Sequence, residues 1–134
     1  MALIDAQVAT RLPAQDLDRA RRWYSDKLGL DPVEERGGAL RYVVGGGEFS
    51  IFLSSGASTG AFTQLAFTVT DIATEVAEMT KRGVVFEEYN EPGLTTTESV
   101  ARIAGNYPSK GTSEFGSWFR DSEGNLLGMG QSIS

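Results

Sequence analysis

Two stretches decide how this chain folds. Residues 16–29 read DLDRARRWYSDKLG, and residues 71–83 read DIATEVAEMTKRG. In the first, Leu17, Ala20, Trp23, Tyr24 and Leu28 recur at helical spacing, with Asp18, Arg19, Arg21, Arg22 and Asp26 on the other face. Asp16 stands where an N-cap carboxylate accepts from free backbone N–H groups and meets the positive end of the helix dipole. Gly29 suits the left-handed residue that ends a helix. In the second stretch Asp71 takes the cap position, Ile72, Val76 and Met79 form the apolar stripe, and Gly83 closes it. The cap residues lie 55 positions apart and the glycines 54. The chain contains an internal repeat.

Working outward, residues 7–14 read as a strand, followed after the helix by strands at 31–36, 39–44 and 48–54. Gly45-Gly46-Gly47 forms the turn between the last two. The small, polar run from Ser54 to Gly60 reads as a linker. Strands then recur at 62–69, 84–89, 115–120 and 125–131, the last two joined around Asp121-Ser122-Glu123-Gly124. The expectation is an α+β fold of two tandem βαβββ modules, about 5–55 and 61–132, within one domain spanning 1–134. A module of about 55 residues buries too little surface alone, and two packed together are expected to share a larger sheet. The second module carries extra sequence at 90–114, with Pro92-Gly93, Gly105-Asn106-Tyr107-Pro108 and Gly111. A loop of that length in a compact domain is usually functional or mobile.

Composition narrows the chemistry. The 134 residues include no cysteine and no histidine, with a formal net charge of −6, 40% apolar residues and 10% aromatics. That is enough apolar content for a core. Without cysteine there is no disulfide framework, thiol nucleophile or thiolate metal site. Without histidine the commonest metal ligand and the commonest general base near neutral pH are missing. The acidic balance argues against nucleic acid as a partner. No apolar run reaches the length of a membrane span, and the N-terminus shows no signal-peptide pattern. The expected setting is soluble and cytoplasmic.

The residues Leu12-Pro13-Ala14-Gln15-Asp16-Leu17 and Tyr24-Ser25-Asp26-Lys27-Leu28-Gly29-Leu30 resemble the first module of the vicinal oxygen chelate superfamily. That group includes glyoxalase I, bleomycin-resistance proteins and extradiol dioxygenases. Phe67-Thr68-Val69-Thr70-Asp71, Lys81-Arg82-Gly83-Val84 and Phe119-Arg120-Asp121-Ser122-Glu123-Gly124-Asn125-Leu126-Leu127 extend the resemblance over nearly the whole chain, with Ser122 where the family usually has proline. The resemblance implies cup-shaped mixed sheets with helices on the outer face, a ligand cavity in the concave cup, and a homodimer.

It also implies where a metal would sit: a His or Gln on the first strand of a module and a Glu on its last. Those positions read Ala9, Phe52, Gln64 and Gly128. Only Gln64 has a coordinating atom, and one neutral amide does not hold a catalytic divalent ion. The expectation is therefore no metal, no cofactor and no assigned catalytic residue.

Strand alternation gives the cup lining as Arg11, Tyr42, Ser50, Phe52, Gln64, Ala66, Thr68, Trp118, Arg120 and Gly128, with Tyr107 closing over it from the long loop. Large rings with a few polar handles suit a flat, largely apolar molecule. The leading expectation is a binding protein that sequesters an aromatic natural product or antibiotic in a cavity completed by a second subunit. Two readings stay open beside it. One is a glyoxalase- or dioxygenase-like enzyme acting on a small organic substrate, whose metal-free version would use Glu87, Glu88 or Tyr107 as acid or base. The other is a module whose cup is filled by its own side chains.

Overall fold

The computed structural model describes residues 2–105 and 112–133. A 3-10 turn at Leu3–Asp5 precedes strand β1 (Thr10–Ala14), shorter than the strand expected at 7–14. Helix α1 (Leu17–Trp23) follows and widens into a π-turn at Tyr24–Leu28. Asp16 caps α1, its carboxylate accepting the Arg19 N–H at 2.9 Å. Gly29 ends the helix at φ +68°, and the Leu30 N–H reaches back to the Tyr24 carbonyl at 3.1 Å. That left-handed closure is the one Gly tolerates best.

Strands β2 (Glu34–Arg36), β3 (Ala39–Val44) and β4 (Gly47–Leu53) complete the first module. Its sheet runs β1-β4-β3-β2, with β1 parallel to β4 and the other pairs antiparallel. The second module repeats the plan with β5 (Thr63–Thr68) and α2 (Ile72–Lys81). Asp71 caps α2 by accepting from the Thr74 N–H and hydroxyl. The strand expected at 84–89 is reduced to one bridge, Phe86 to Phe119. The segment expected as a loop instead contributes β6 (Asn90–Glu91), β7 (Leu94–Thr97) and β8 (Val100–Ala104). β8 pairs with the start of β9 (Ser113–Arg120), leaving 84–89 only the far end of that edge. With β10 (Leu126–Ile133), the second sheet runs β5-β10-β9-β8-β7-β6. The fold is α+β, two mixed sheets with a helix over each; the expected shared sheet is not formed, because each module pairs its own strands and the two share an apolar core instead.

One apolar cluster spans both modules. Leu12, Ala14, Tyr24, Tyr42, Phe49 and Ile51 from the first meet Ile72, Met79, Phe119, Leu127 and Met129 from the second. Trp23 stacks on Phe119 at 6.2 Å and Phe49 meets Phe67 edge-on at 6.2 Å, so the rings interlock across the junction. Rings in such geometry contribute beyond the area they bury.

A polar clasp closes the same junction. The turn between β9 and β10 projects Asp121, Glu123 and Asn125 into module one. Tyr24 donates its hydroxyl to Asp121 at 2.6 Å, and Asn125 donates to the Pro13 carbonyl at 3.0 Å. Asp121 also accepts from the Asn125 side chain and from the Glu123 and Asn125 N–H groups. Glu123 accepts from two of the guanidinium nitrogens of Arg19, Nε and Nη2, at 2.8 and 2.9 Å, and from the N–H groups of Gln15 and Asp16. Its carboxylate therefore sits at the open N-terminus of α1, where orphan donors and the helix dipole favour a negative charge. The Arg19 guanidinium holds the Glu123 carboxyl down at about 2, against the cost of burial.

Candidate functional site

On β9 and β10, Phe119, Leu127 and Met129 turn toward the helices. Alternation leaves Gly116, Trp118, Gly128 and Gly130 on the opposite face. Trp118 pairs with Gly128, and Gly116 with Gly130. The glycines make a floor, and the indole lies across it. A β-carbon at Gly128 would sit 3.5 Å from the indole Cδ1 and Nε1, and one at Gly116 only 2.9 Å from its Cη2. Gly116 in particular is needed for the ring to lie this close to the sheet. The Glu114 side chain covers Gly130 in the same way.

Tyr89 meets the indole edge-on, with ring centroids 5.5 Å apart at 82°. The Ile103 methyl approaches the same Gly116 position at 3.4 Å. Arg120 is fixed at the margin, donating to Glu87 at 2.6 Å and to the Gly60 carbonyl at 2.9 Å. The result is a half-buried indole framed by an aromatic edge, a methyl group and an anchored guanidinium. Glu88 accepts from the hydroxyls of Ser99 and Thr96, which hold its carboxyl below the usual range and weaken it as a base.

The residues expected to line the cup fall into two groups, one on each sheet. On the first, Arg11 pairs with Ser50, and Phe52 pairs with Pro13 and Ala39; all face away from α1. Arg11 is exposed, Ser50 and Phe52 half-buried. On the second, Gln64 is half-buried and Ala66 and Thr68 are exposed, alongside Trp118, Arg120 and Gly128. Tyr107 lies outside the described residues.

Tyr42 is elsewhere. It is only 1% exposed, stacked on Phe49 at 4.8 Å and 3° and tilted against Tyr24 at 5.6 Å. Burial pushes its phenol up to about 12. The residue that stands where Trp118 stands is Arg41, which pairs with Ser50 as Trp118 pairs with Gly128. The cause is turn length: residues 45–46 join β3 to β4, whereas residues 121–125 join β9 to β10. An offset carried across both turns slips by one on β3, and a one-residue slip reverses every side chain. On β4 the correction is two residues, so Phe52 keeps its face while Ser50 becomes the counterpart of Gly128.

The family's metal positions thus hold Ala9, Ser50, Gln64 and Gly128. Gln64 falls where the β5–β10 register shifts, and its amide oxygen accepts from the Ser58 hydroxyl at 2.5 Å. This donor set does not fit a divalent ion. Among the described residues no three of His, Cys, Asp and Glu converge as metal ligands either.

Sequence reasoning missed Tyr89, Arg41, Ile103 and Glu114. Arg41 follows only once the turn is fixed at residues 45–46, which the run Gly45-Gly46-Gly47 leaves open. Ile103 and Glu114 come from the strands that replaced the expected loop, and Tyr89 from the segment read as a plain strand.

The sequence profile of the Glyoxalase/Bleomycin resistance protein/Dioxygenase superfamily matches residues 6–129. No curated protein matches the chain. Among solved structures, a glyoxalase/bleomycin resistance protein/dioxygenase from Alicyclobacillus acidocaldarius is 17% identical with a TM-score of 0.72, covering 97% of this chain and 93% of its own. A virulence protein from Salmonella typhimurium is 18% identical with a TM-score of 0.68, covering 98% and 100%. TnmS3, an antibiotic binding protein from Streptomyces sp. CB03234, is 20% identical with a TM-score of 0.61, covering 96% and 97%. At these identities the likeness is one of fold. With the profile spanning almost the whole repeat, the chain belongs to the Glyoxalase/Bleomycin resistance protein/Dioxygenase superfamily.

Proposed function

We propose that this protein is a metal-free binding protein that holds a flat aromatic molecule, of the natural-product or antibiotic kind, against the face of Trp118. The carrying observation is the indole laid on a glycine floor with Tyr89 at its edge. A planar ligand stacking there gains contact area without ordering a flexible side chain. Arg120 and Gln64 at the margin supply polar handles, and a second copy of the chain completes the cavity. The ligand set at the family's metal positions supports binding over metal chemistry, and TnmS3 shows that this fold can bind an antibiotic.

The test is titration with a panel of aromatic antibiotics, read by tryptophan emission. Saturable quenching is expected in the native protein and its loss in Trp118→Phe, where Trp23 remains as an internal reference. Gly116→Ala lifts the indole from the floor at an overpacking cost of about 1–3 kcal/mol, so affinity should fall about tenfold or more. Stoichiometric nickel, zinc, manganese or iron in the purified protein, or no binding across the panel, would overturn the reading.

A further inference from the structure

A second cavity lies behind the Trp118 face, on the helix side of the second sheet. It measures about 150 Å³ and sits at the module junction, with Leu30 and Val44 contributed by module one and Val69, Met79 and Met129 by module two. The lining side chains are apolar except Glu75, on the outer face of α2. That carboxylate has no hydrogen-bonding or ionic partner among the described residues. A water needs two to four polar partners to settle firmly, and the side chains of these walls offer one. A partly open apolar pocket of this size is large enough for a benzene-sized ring.

We propose that this junction cavity is a binding site for a small aromatic amine, the ring among the two methionines and the protonated amine facing Glu75. Ring size follows from the volume, and the sign of the charge follows from the unpaired carboxylate. A carboxylate-bearing ring meets repulsion at the same rim. The site is independent of the Trp118 face, since Met129 and Gly128 point to opposite sides of β10.

Benzylamine, toluene and benzoate serve as probes, with the protein labelled at its methionine methyls. Two of the three methionines line the cavity and the third is Met1. Saturable shifts of the Met79 and Met129 methyls are expected, with Met1 unmoved. Benzylamine should bind roughly two- to fivefold tighter than toluene, the worth of one exposed ion pair, and benzoate more weakly than either. Val69→Phe fills the cavity and should abolish the shifts. Val44→Leu fills it more gently and should weaken them if Val69→Phe fails to fold. Glu75→Gln, an exposed change, should leave toluene binding intact and erase the advantage of benzylamine. Unmoved Met79 and Met129 signals, or shifts that persist unchanged in the filled variants, overturn the site. An advantage of benzylamine that survives Glu75→Gln overturns the amine assignment. Methyl shifts that follow protein concentration rather than added amine would place a second copy's side chain in the cavity and overturn the proposal. Trp118→Phe leaves all of these readouts unchanged, so this site and the Trp118 site fail separately.

Discussion

The two modules share a plan and differ at the turn before their last strand. In module one the turn is Gly45 and Gly46, and a β-carbon added at either meets nothing within 4 Å. In module two the same turn is Asp121 to Asn125, with Asp121, Glu123 and Asn125 buried. The repeat therefore does not pack symmetrically. One turn ends in solvent, while the other reaches across to hold the helix of its neighbour. Duplicated strands and helices set the scaffold, and a turn that differs between the copies carries the junction.

Breaking the clasp should cost more than any change in the matching turn. Asp121→Ala leaves the Tyr24 hydroxyl and three nitrogen donors without their acceptor. Removing one partner from a buried hydrogen-bonded network costs about 3–5 kcal/mol. Gly46→Ala, at the equivalent turn, should stay within about 0.5 kcal/mol. Urea denaturation of both variants measures the contrast, and equal losses would show that the two turns are equivalent after all.

The second expectation concerns acid. Glu123 titrates at about 2 in the folded protein against an ordinary value of 4.5. A depressed carboxyl stabilises the fold above its unfolded value, and that contribution is lost as pH falls from about 4.5 toward about 2. With half-exposed Arg19 discounted for solvent screening, the loss is about 2 kcal/mol. Denaturation midpoints across that window should drop in the native protein and drop less in Glu123→Gln. An unchanged pH profile in the variant would assign the acid response to other carboxylates.

The smallest expected effect probes the part of the plan the modules share. Asp16 and Asp71 cap their helices through the same hydrogen bond, at 2.9 and 3.3 Å. Asp71→Ala should cost about 1 kcal/mol, the usual worth of an N-cap. Asp16→Ala should cost no more, because Glu123 also serves the N-terminus of α1. A larger loss at Asp16 would mean that the clasp depends on the local cap.

Most of the scaffold was legible because it rests on local chemistry. Cap carboxylates, helical apolar spacing and terminating glycines act within a few residues of one another, and both helices end at the glycines that mark them. Alternation likewise gave the faces of β1, β4, β9 and β10. Tyr42 was misplaced because its facing depends on turn length, which the repeat does not conserve. β7 and β8 escaped because Leu94–Thr97 and Val100–Ala104 are short and lack a clean apolar alternation. The role of Glu123 was not legible at all: it lies more than a hundred residues from Arg19, and a carboxylate in a turn reads as solvated until its partner is seen.

The clasp also changes what the covalent chain is for. Tyr24, Arg19 and Pro13 present one surface, and Asp121, Glu123 and Asn125 present its complement. The halves meet as the partners of a heterodimer would, through complementary surfaces, and are joined by a tether at 54–62. The tether supplies effective concentration and adds hydrogen bonds of its own, its Gly56 carbonyl accepting from Gln15 and its Gly60 carbonyl from Arg120, both at 2.9 Å. The instructions for assembling the halves are written on their facing surfaces, and the peptide that links them adds one bond to each half.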